Sequence, residues 1–362
     1  MADLVSENQS DNQNGLKGKF KWIFYILILV VMISFGFFFF RFWNLYQAKA
    51  RISPEQTFIY VPSRFNLDSL AQELTRKKII SDPDQFIKTA LFFRYRIKAG
   101  KFKVSSNIKT IRHLLRALQA GNVPQRLTLQ NHRTKDLLFE YISKHLEISK
   151  IQLDSLFTDS IFFKKYQLKE NEILSFFIPN TYEFYWNVKP KDFLKKMEAE
   201  FERFWNSDRI ARANDLGLSL AEIYTLASIV EAETTYGPEK STIAGVYLNR
   251  LRKKGWRLEA DPTVVFALGD FSVKRVTKEM LKLDSPYNTY KYDGLPPGPI
   301  RMASIQSIDA VLQYKKHDFM FFCAAVPQPS QPLHHEFARN LAEHAVNARK
   351  YRNWLNQKKI YK

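Results

Sequence analysis

The chain of 362 residues carries 55 Lys and Arg against 36 Asp and Glu, a net charge of +19. Its single cysteine excludes an intramolecular disulfide framework, and its 45% hydrophobic content excludes a wholly disordered chain. The positive surplus favours an anionic partner by long-range attraction; the basic residues are spread along the chain and no nucleic-acid-binding signature accompanies them, so no nucleic acid is expected as a partner.

The N-terminus opens with a polar stretch, residues 1–16, expected to be disordered. Residues 22–40 then form an apolar run broken only by Ser34 and Gly36. At about 1.5 Å per residue the run reaches the ~30 Å of a bilayer core. Trp22, Phe42 and Trp43 stand where interfacial aromatics belong, and Lys17, Lys19 and Lys21 precede the run. That charge bias places residues 1–21 in the cytoplasm and everything beyond the span outside it. A cleaved signal peptide is the rival, with Ala48-Lys49-Ala50 as its cleavage site. The run is longer than a signal peptide's apolar core and Arg41 intervenes, so an uncleaved anchor in the inner (cytoplasmic) membrane is expected.

Residues 44–124 read as a small module. A strand is expected at 57–61, a helix at 67–77 opened by Asn66, a second helix at 82–93, a strand at 99–104, and a third helix at 110–120 closed by Gly121. Residues 125–218 connect this module to the rest, with a strand at 126–129, helices at 135–146, 153–157 and 192–205, and the motif Ile-Pro-Asn-Thr-Tyr-Glu-Phe at 178–184.

Residues 219–362 carry the chemistry. Ser219 and Glu222 form a capping box, and Leu220, Ile223, Leu226, Ala227 and Val230 recur at helical spacing. Glu231 falls inside the apolar arc; Glu233 falls at its rim in the last turn. An acid beside apolar surface resists ionisation and can donate its proton near neutral pH. The rim suits a general acid, which must touch both core and substrate, and Glu231 would then be a supporting group. Periodicity alone leaves the choice between them open. Gly237-Pro238 starts a second helix, Glu239 suits the positive end of its dipole, Arg250, Arg252, Lys253 and Lys254 fill its last turns, and Gly255 closes it.

Further on, Tyr287, Asn288 and Tyr290 offer two aromatic faces and an amide, a set suited to sugar rings. Asp261, before Pro262, reads as a turn former or a sugar contact; with Glu259 it is also the nearest candidate for a second carboxylate. The stretch 294–300, Gly-Leu-Pro-Pro-Gly-Pro-Ile, is stiffened by its prolines and shapes the cleft floor. His334-His335-Glu336 lacks an i, i+4 histidine pair, so no metal is expected, and no other cofactor. Cys323 stands in a stretch that reads as a buried strand, and a strand followed by a helix at 338–355 is expected behind the site.

Ala-Ser-Ile-Val-Glu-Ala-Glu-Thr (227–234), Val-Tyr-Leu-Asn-Arg-Leu (246–251), Ala-Asp-Pro-Thr-Val (260–264), Tyr-Asn-Thr-Tyr (287–290) and the 294–300 stretch, in this order, resemble the endolytic murein transglycosylases of the MltG (YceG-like) family. The resemblance implies an α+β fold: one transmembrane helix, a LysM-like module at 44–124, the connecting region, and a catalytic domain at 219–362. It implies cleavage of the MurNAc-β-1,4-GlcNAc bond of peptidoglycan without water. The catalytic glutamate is the one followed by Thr, hence Glu233. It would protonate the glycosidic oxygen and then take the proton of the MurNAc C6 hydroxyl as that oxygen closes a 1,6-anhydro ring. Asp261, Thr263, Tyr287, Asn288, Tyr290 and Asn249 are taken as substrate contacts. The family's Phe-Pro-Asp-Thr-Tyr has Asn180 here in place of Asp, which serves equally if the position caps a turn. Peptidoglycan glycan strands are the implied substrate, and peptidoglycan synthases are implied partners. A water-using hydrolase of the same glycan and a non-catalytic wall-binding scaffold are the alternatives.

Overall fold

The computed structural model describes residues 3–358 other than 159, 274 and 330, with side chains from residue 21 onward. Residues 1 and 2 of the expected tail and the last four residues of the chain lie outside the described residues. The chain forms two compact units, Met1–Pro124 and Gln125–Lys362.

The first unit begins with helix α1 (Asp3–Tyr46). Its portion Lys21–Tyr46 has a mean hydropathy of 2.8 and is long and apolar enough to cross a membrane. Phe35, Phe38 and Met32 stand open on its surface, as lipid-facing side chains would. The helix extends back to Asp3, where a disordered tail was expected; once the span is nucleated, each added residue fixes one further hydrogen bond.

Strand β1 (Phe58–Val61), helices α2 (Leu67–Arg76) and α3 (Pro83–Phe92), strand β2 (Gly100–Lys103) and helix α4 (Ile111–Ala120) follow. Each falls within a residue or two of its expected place. The caps explain this: Asn66, Asp82 and Thr110 accept the N–H groups of Ser69, Gln85 and His113, satisfying donors that no helix can satisfy itself. β1 and β2 pair antiparallel with Ile59 opposite Phe102. Their inward side chains meet Leu70, Leu74, Phe86 and Leu114 in a core of the unit's own.

Strand β3 (Pro124–Leu129), which starts on the last residue of the first unit and continues into the second, pairs with β4 (Asn180–Tyr185), and between them lie α5 (Lys135–His145), α6 (Lys150–Leu156) and α7 (Ser160–Tyr166). Helices α8 (Pro190–Phe204), α9 (Ser207–Leu216), α10 (Leu220–Glu233), α11 (Lys240–Arg252), α12 (Asp261–Leu268) and α13 (Ile305–Leu312) precede a hairpin-like pair, β5 (Phe321–Ala324) and β6 (His335–Ala338), covered by α14 (Leu341–Gln357). The mixed helix-and-strand class is as expected. No break in packing marks residue 218: one core joins Leu127, Phe177 and Phe201 to Leu226, Ile229 and Val311. The cause is α10, which is apolar nearly all round and so must be covered from every side. At about 1.5–3 kcal/mol per fully buried Leu, Ile or Val, the burial of Ile223, Leu226, Ile229 and Val230 strongly stabilises the site's frame.

Two details differ from the sequence reading. Cys323 is half-buried, because β5 belongs to a two-stranded sheet with α14 on one side only. The last helix starts at Leu341 rather than 338: Ala338 still pairs with Phe321, and Asn340 caps the helix by accepting the N–H of Glu343.

The 294–300 segment is tied to α10. Ile300 N donates to Ser228 Oγ at 3.1 Å and Ala303 N to Tyr224 Oη at 3.3 Å. Gly294 takes φ +79°, and Gly298 packs its backbone against the carbonyl of Asn171, where a Cβ would collide with main chain. Gly298→Ala is therefore expected to destabilise this unit by about 1–3 kcal/mol, read as a lowered Tm.

Candidate functional site

Helix α10 delivers Glu231 and Glu233 to its last turn. Ser219 and Glu222 form the capping box: Glu222 N–H donates to Ser219 Oγ and Ser219 N–H to Glu222 Oε2, so the helix register is set from its start. At the other end Thr234 Oγ1 donates to Glu239 Oε1 at 2.5 Å, and Tyr236 N donates to Thr234 Oγ1 at 3.0 Å. This turn folds α11 back against α10.

The two glutamates meet opposite surroundings. Glu231 sits among donors: Lys240 Nζ at 2.8 Å, Ser307 Oγ at 2.5 Å, the Ser304 hydroxyl, and Ser304 N at 3.3 Å. Burial pulls its pKa up, but the hydrogen bonds from Lys240, Ser304 and Ser307 outweigh it and hold the group below its ordinary value. Glu231 is a fixed carboxylate. Glu233 accepts a hydrogen bond from the Tyr247 hydroxyl of α11. Burial pushes Glu233 up to about 7, helped by the negative charge of Asp261, against the Tyr247 hydrogen bond and the charges of His335 and Arg250. Burial, and then the Glu233 charge, hold Tyr247 well above its own usual range, so it stays a donor. A carboxyl group poised near neutrality beside a locked carboxylate is an arrangement in which one side chain can exchange protons and the other cannot.

Glu233 lines a cavity of about 270 Å³ together with Asp261, Pro262, Phe271, Ile300 and three arginines, Arg133, Arg275 and Arg301. Asp261 is the first residue of α12, not a turn: Pro262 suits the first helical turn, where no N–H is missed. Its Oδ1 accepts from Tyr290 Oη at 2.6 Å. Burial, and then this contact with Asp261, raise the Tyr290 pKa. Glu259, the other candidate carboxylate, is exposed and stands outside the cavity lining.

The remaining expected contacts do not meet there. Asn288 is fully buried, and its Nδ2 donates to the carbonyls of Leu281 and Leu283 at 2.9 and 2.8 Å. Thr263, also fully buried, donates to Ala260 O at 2.7 Å and lies 2.8 Å from Thr289 Oγ1. Asn249 Nδ2 donates to His317 O and Phe319 O. These three were expected to touch substrate; in the structure their side-chain donors are engaged by backbone carbonyls. Tyr287 packs its ring 4.8 Å from Phe266 and stands outside the cavity lining. Asn180 is the first residue of β4, and its Oδ1 accepts the N–H of Thr181 at 2.8 Å, a bond that an Asp carboxylate could also accept.

Several participants were missed. Tyr247 was named only within the Val-Tyr-Leu-Asn-Arg-Leu motif, with no role of its own. Glu239, read only as an acid suited to the positive end of a helix, is 6% exposed; it accepts His335 N at 2.9 Å, and His335 Nδ1 lies 2.8 Å from its other oxygen. Burial raises the Glu239 pKa, but the bonds from His335 and Thr234 leave it lowered. Arg250, read only as one of the basic residues of the last turns, is buried and donates to Met320 O and Leu258 O. It ties α11 to the segments preceding β5 and α12.

A family model described as the YceG-like family matches residues 59–350. Over 141 residues the chain is 39% identical to an endolytic murein transglycosylase of Bacillus subtilis (strain 168), covering 39% of this chain and 37% of that protein. Over 332 residues it is 23% identical to an endolytic murein transglycosylase of Streptococcus pneumoniae serotype 2, covering 82% of this chain and 60% of the relative. The matched stretches thus span less than two thirds of either relative. The crystal structure of a yceG-like protein from Listeria monocytogenes superposes with a TM-score of 0.54 at 26% identity, over 81% of this chain and 99% of that one.

Proposed function

The chain belongs to the YceG-like family, and on that premise we propose that it is a membrane-anchored lytic transglycosylase that cuts peptidoglycan glycan strands internally. The observation that carries this reading is the contrast within α10: Glu233 held near neutrality in a cavity, Glu231 locked as a carboxylate two residues earlier. Glu233 donates its proton to the glycosidic oxygen between MurNAc and GlcNAc as positive charge develops at C1. The resulting carboxylate then accepts the proton of the MurNAc C6 hydroxyl, whose oxygen closes onto C1 to give a 1,6-anhydro end. Each proton that leaves Glu233 in the first step is regained in the second, so one carboxyl group suffices and no water is consumed. Helix α1 anchors the enzyme in the cytoplasmic membrane with the catalytic unit outside. The small module at 44–124 holds glycan in the manner of a LysM domain, and synthases that extend the strands are its partners.

Mass spectrometry of purified strands digested by the full chain tests the reaction. Anhydro ends support it. Reducing ends, heavier by one water, would make the protein a hydrolase instead. That second reading is favoured by one feature, Asp261 sharing the cavity with Glu233, since hydrolytic glycosidases use a carboxyl pair.

The pH dependence follows from the donor state. Cleavage needs protonated Glu233, so kcat/KM is expected to fall as pH rises through about 7. Tyr247 lowers the Glu233 pKa by donating to it, and Tyr247→Phe is expected to move this falling limb to higher pH. An unmoved limb in the Phe variant would mean that another group sets it.

A further inference from the structure

The cavity wall carries more positive charge than the proton-transfer chemistry uses. Arg133 and Arg301 are brought together by a pair of bonds between their segments: Met302 N donates to His132 O at 2.8 Å, and Arg301 Nη2 donates to Asn131 Oδ1 at 3.1 Å. Asn131 supports the turn at φ +62°, a left-handed conformation that Asn tolerates. Arg133 lies over the Phe271 ring at 4.3 Å, which fixes its guanidinium in the lining. Among the described residues neither Arg133 nor Arg301 makes an ion pair, and Arg301 Nε is buried without a hydrogen-bond partner. Burial, and then the Arg133 charge, lower the Arg301 pKa despite Glu231, whose carboxylate is already engaged by Lys240. Two neighbouring guanidinium groups, one with a buried unmet donor, are unfavourable alone and match the fork geometry of a carboxylate.

We propose that Arg133 and Arg301, with Arg275 in the same lining, form a carboxylate-binding subsite within the Glu233 cavity, and that it takes a carboxylate carried by the glycan strand. This rests on the reading of the cavity as a glycan-cleaving site. Two parts of peptidoglycan bear the group: the lactyl ether of a MurNAc stripped of its peptide, and the stem peptide itself. A bound carboxylate places MurNAc, the only sugar that carries either, beside the proton donor, and so sets which sugar faces Glu233.

The test uses the full chain in detergent with Glu233→Gln, so that binding is read without cleavage. Its affinity is measured for three strand preparations: stem-bearing, stem-free with the lactyl carboxylate exposed, and stem-free with that carboxylate converted to a methylamide. The expected result is about 10- to 100-fold tighter binding to at least one charged preparation than to the methylamide, as charge-assisted hydrogen bonds would give. The charged preparation that binds tighter identifies the source. Adding Arg133→Gln, at a half-buried loop position, or Arg301→Gln should erase the preference, with thermal melts showing which variants remain folded. Equal affinity for all three preparations, or a preference that survives Arg133→Gln, would overturn the subsite. If the chain with Glu233 intact leaves every strand uncut while the preference persists, the cleavage reading fails and the subsite stands.

Discussion

Glu233→Gln is expected to lower glycan cleavage by about 10²- to 10⁴-fold, the usual range for loss of a positioned acid–base group. The upper part of that range is expected, because the same carboxyl group serves as acid in the first step and base in the second. The substitution keeps the side chain's volume, and its amide oxygen can still accept from the Tyr247 hydroxyl. The fold should survive, and stability provides a second readout with a definite sign. A carboxyl group whose folded pKa is raised to about 7 from 4.5 binds more protons folded than unfolded between those values. Its stabilising contribution is complete below about 4.5 and is lost as pH rises through about 7. Gln has no such loss. The variant should therefore gain stability relative to the parent as pH climbs across this window, and the difference should level off above it. Denaturant melts at several pH values, alongside product analysis, read both effects. A variant that still forms anhydro ends at the parental rate would remove Glu233 from the mechanism and move the proton-donor role to another group.

The parts of this molecule that could be read in the sequence are those whose causes are local. Asn66, Thr110 and the Ser219–Glu222 pair are caps whose partners lie three residues away, and each marks its helix start correctly. The position of Glu233 at the rim of an apolar helix also follows from 3.6-residue periodicity. What the pattern leaves open is direction and distant partners. Asn288, Thr263 and Asn249 have the right chemistry for sugar, but only the fold decides that their donors turn inward to backbone. Asp261-Pro262 satisfies the rules for a turn and for a helix start equally, and the structure chooses the second. The serines that lock Glu231 lie 73 and 76 residues further along the chain. The arginine pair is brought together by a bond between residues 170 positions apart in the chain. No window of the sequence contains such contacts, although the separate roles of the two glutamates depend on them.

Glu231→Gln should do its damage to stability before chemistry. The Glu231 and Lys240 side chains are 16% and 5% exposed, and their nitrogen and oxygen meet at 2.8 Å. Removing one member of a buried ion pair leaves the other charged and poorly solvated, at about 3–5 kcal/mol. Here Lys240 would keep Ser304 Oγ, at the long distance of 3.4 Å, as its side-chain partner among the described residues. In a unit of this size each kcal/mol lowers Tm by about 2–4 °C, so the effect is large enough to read directly. The pH sign is opposite to that of Glu233. Glu231 has a lowered pKa, so its contribution is present above the ordinary carboxylate value of 4.5 and disappears as pH falls through the lower folded value. The destabilisation by Gln should accordingly be greatest near neutrality and shrink in acid. Combining Glu231→Gln with Lys240→Met removes both charges, and the double variant should recover part of the loss, a coupling that a double-mutant cycle measures. Per folded molecule, Glu231→Gln should cut cleavage less than Glu233→Gln. An equal or greater loss in turnover, with Tm unchanged, would exchange the roles of the two side chains: Glu231 would be the proton donor and Glu233 the residue that holds it in place.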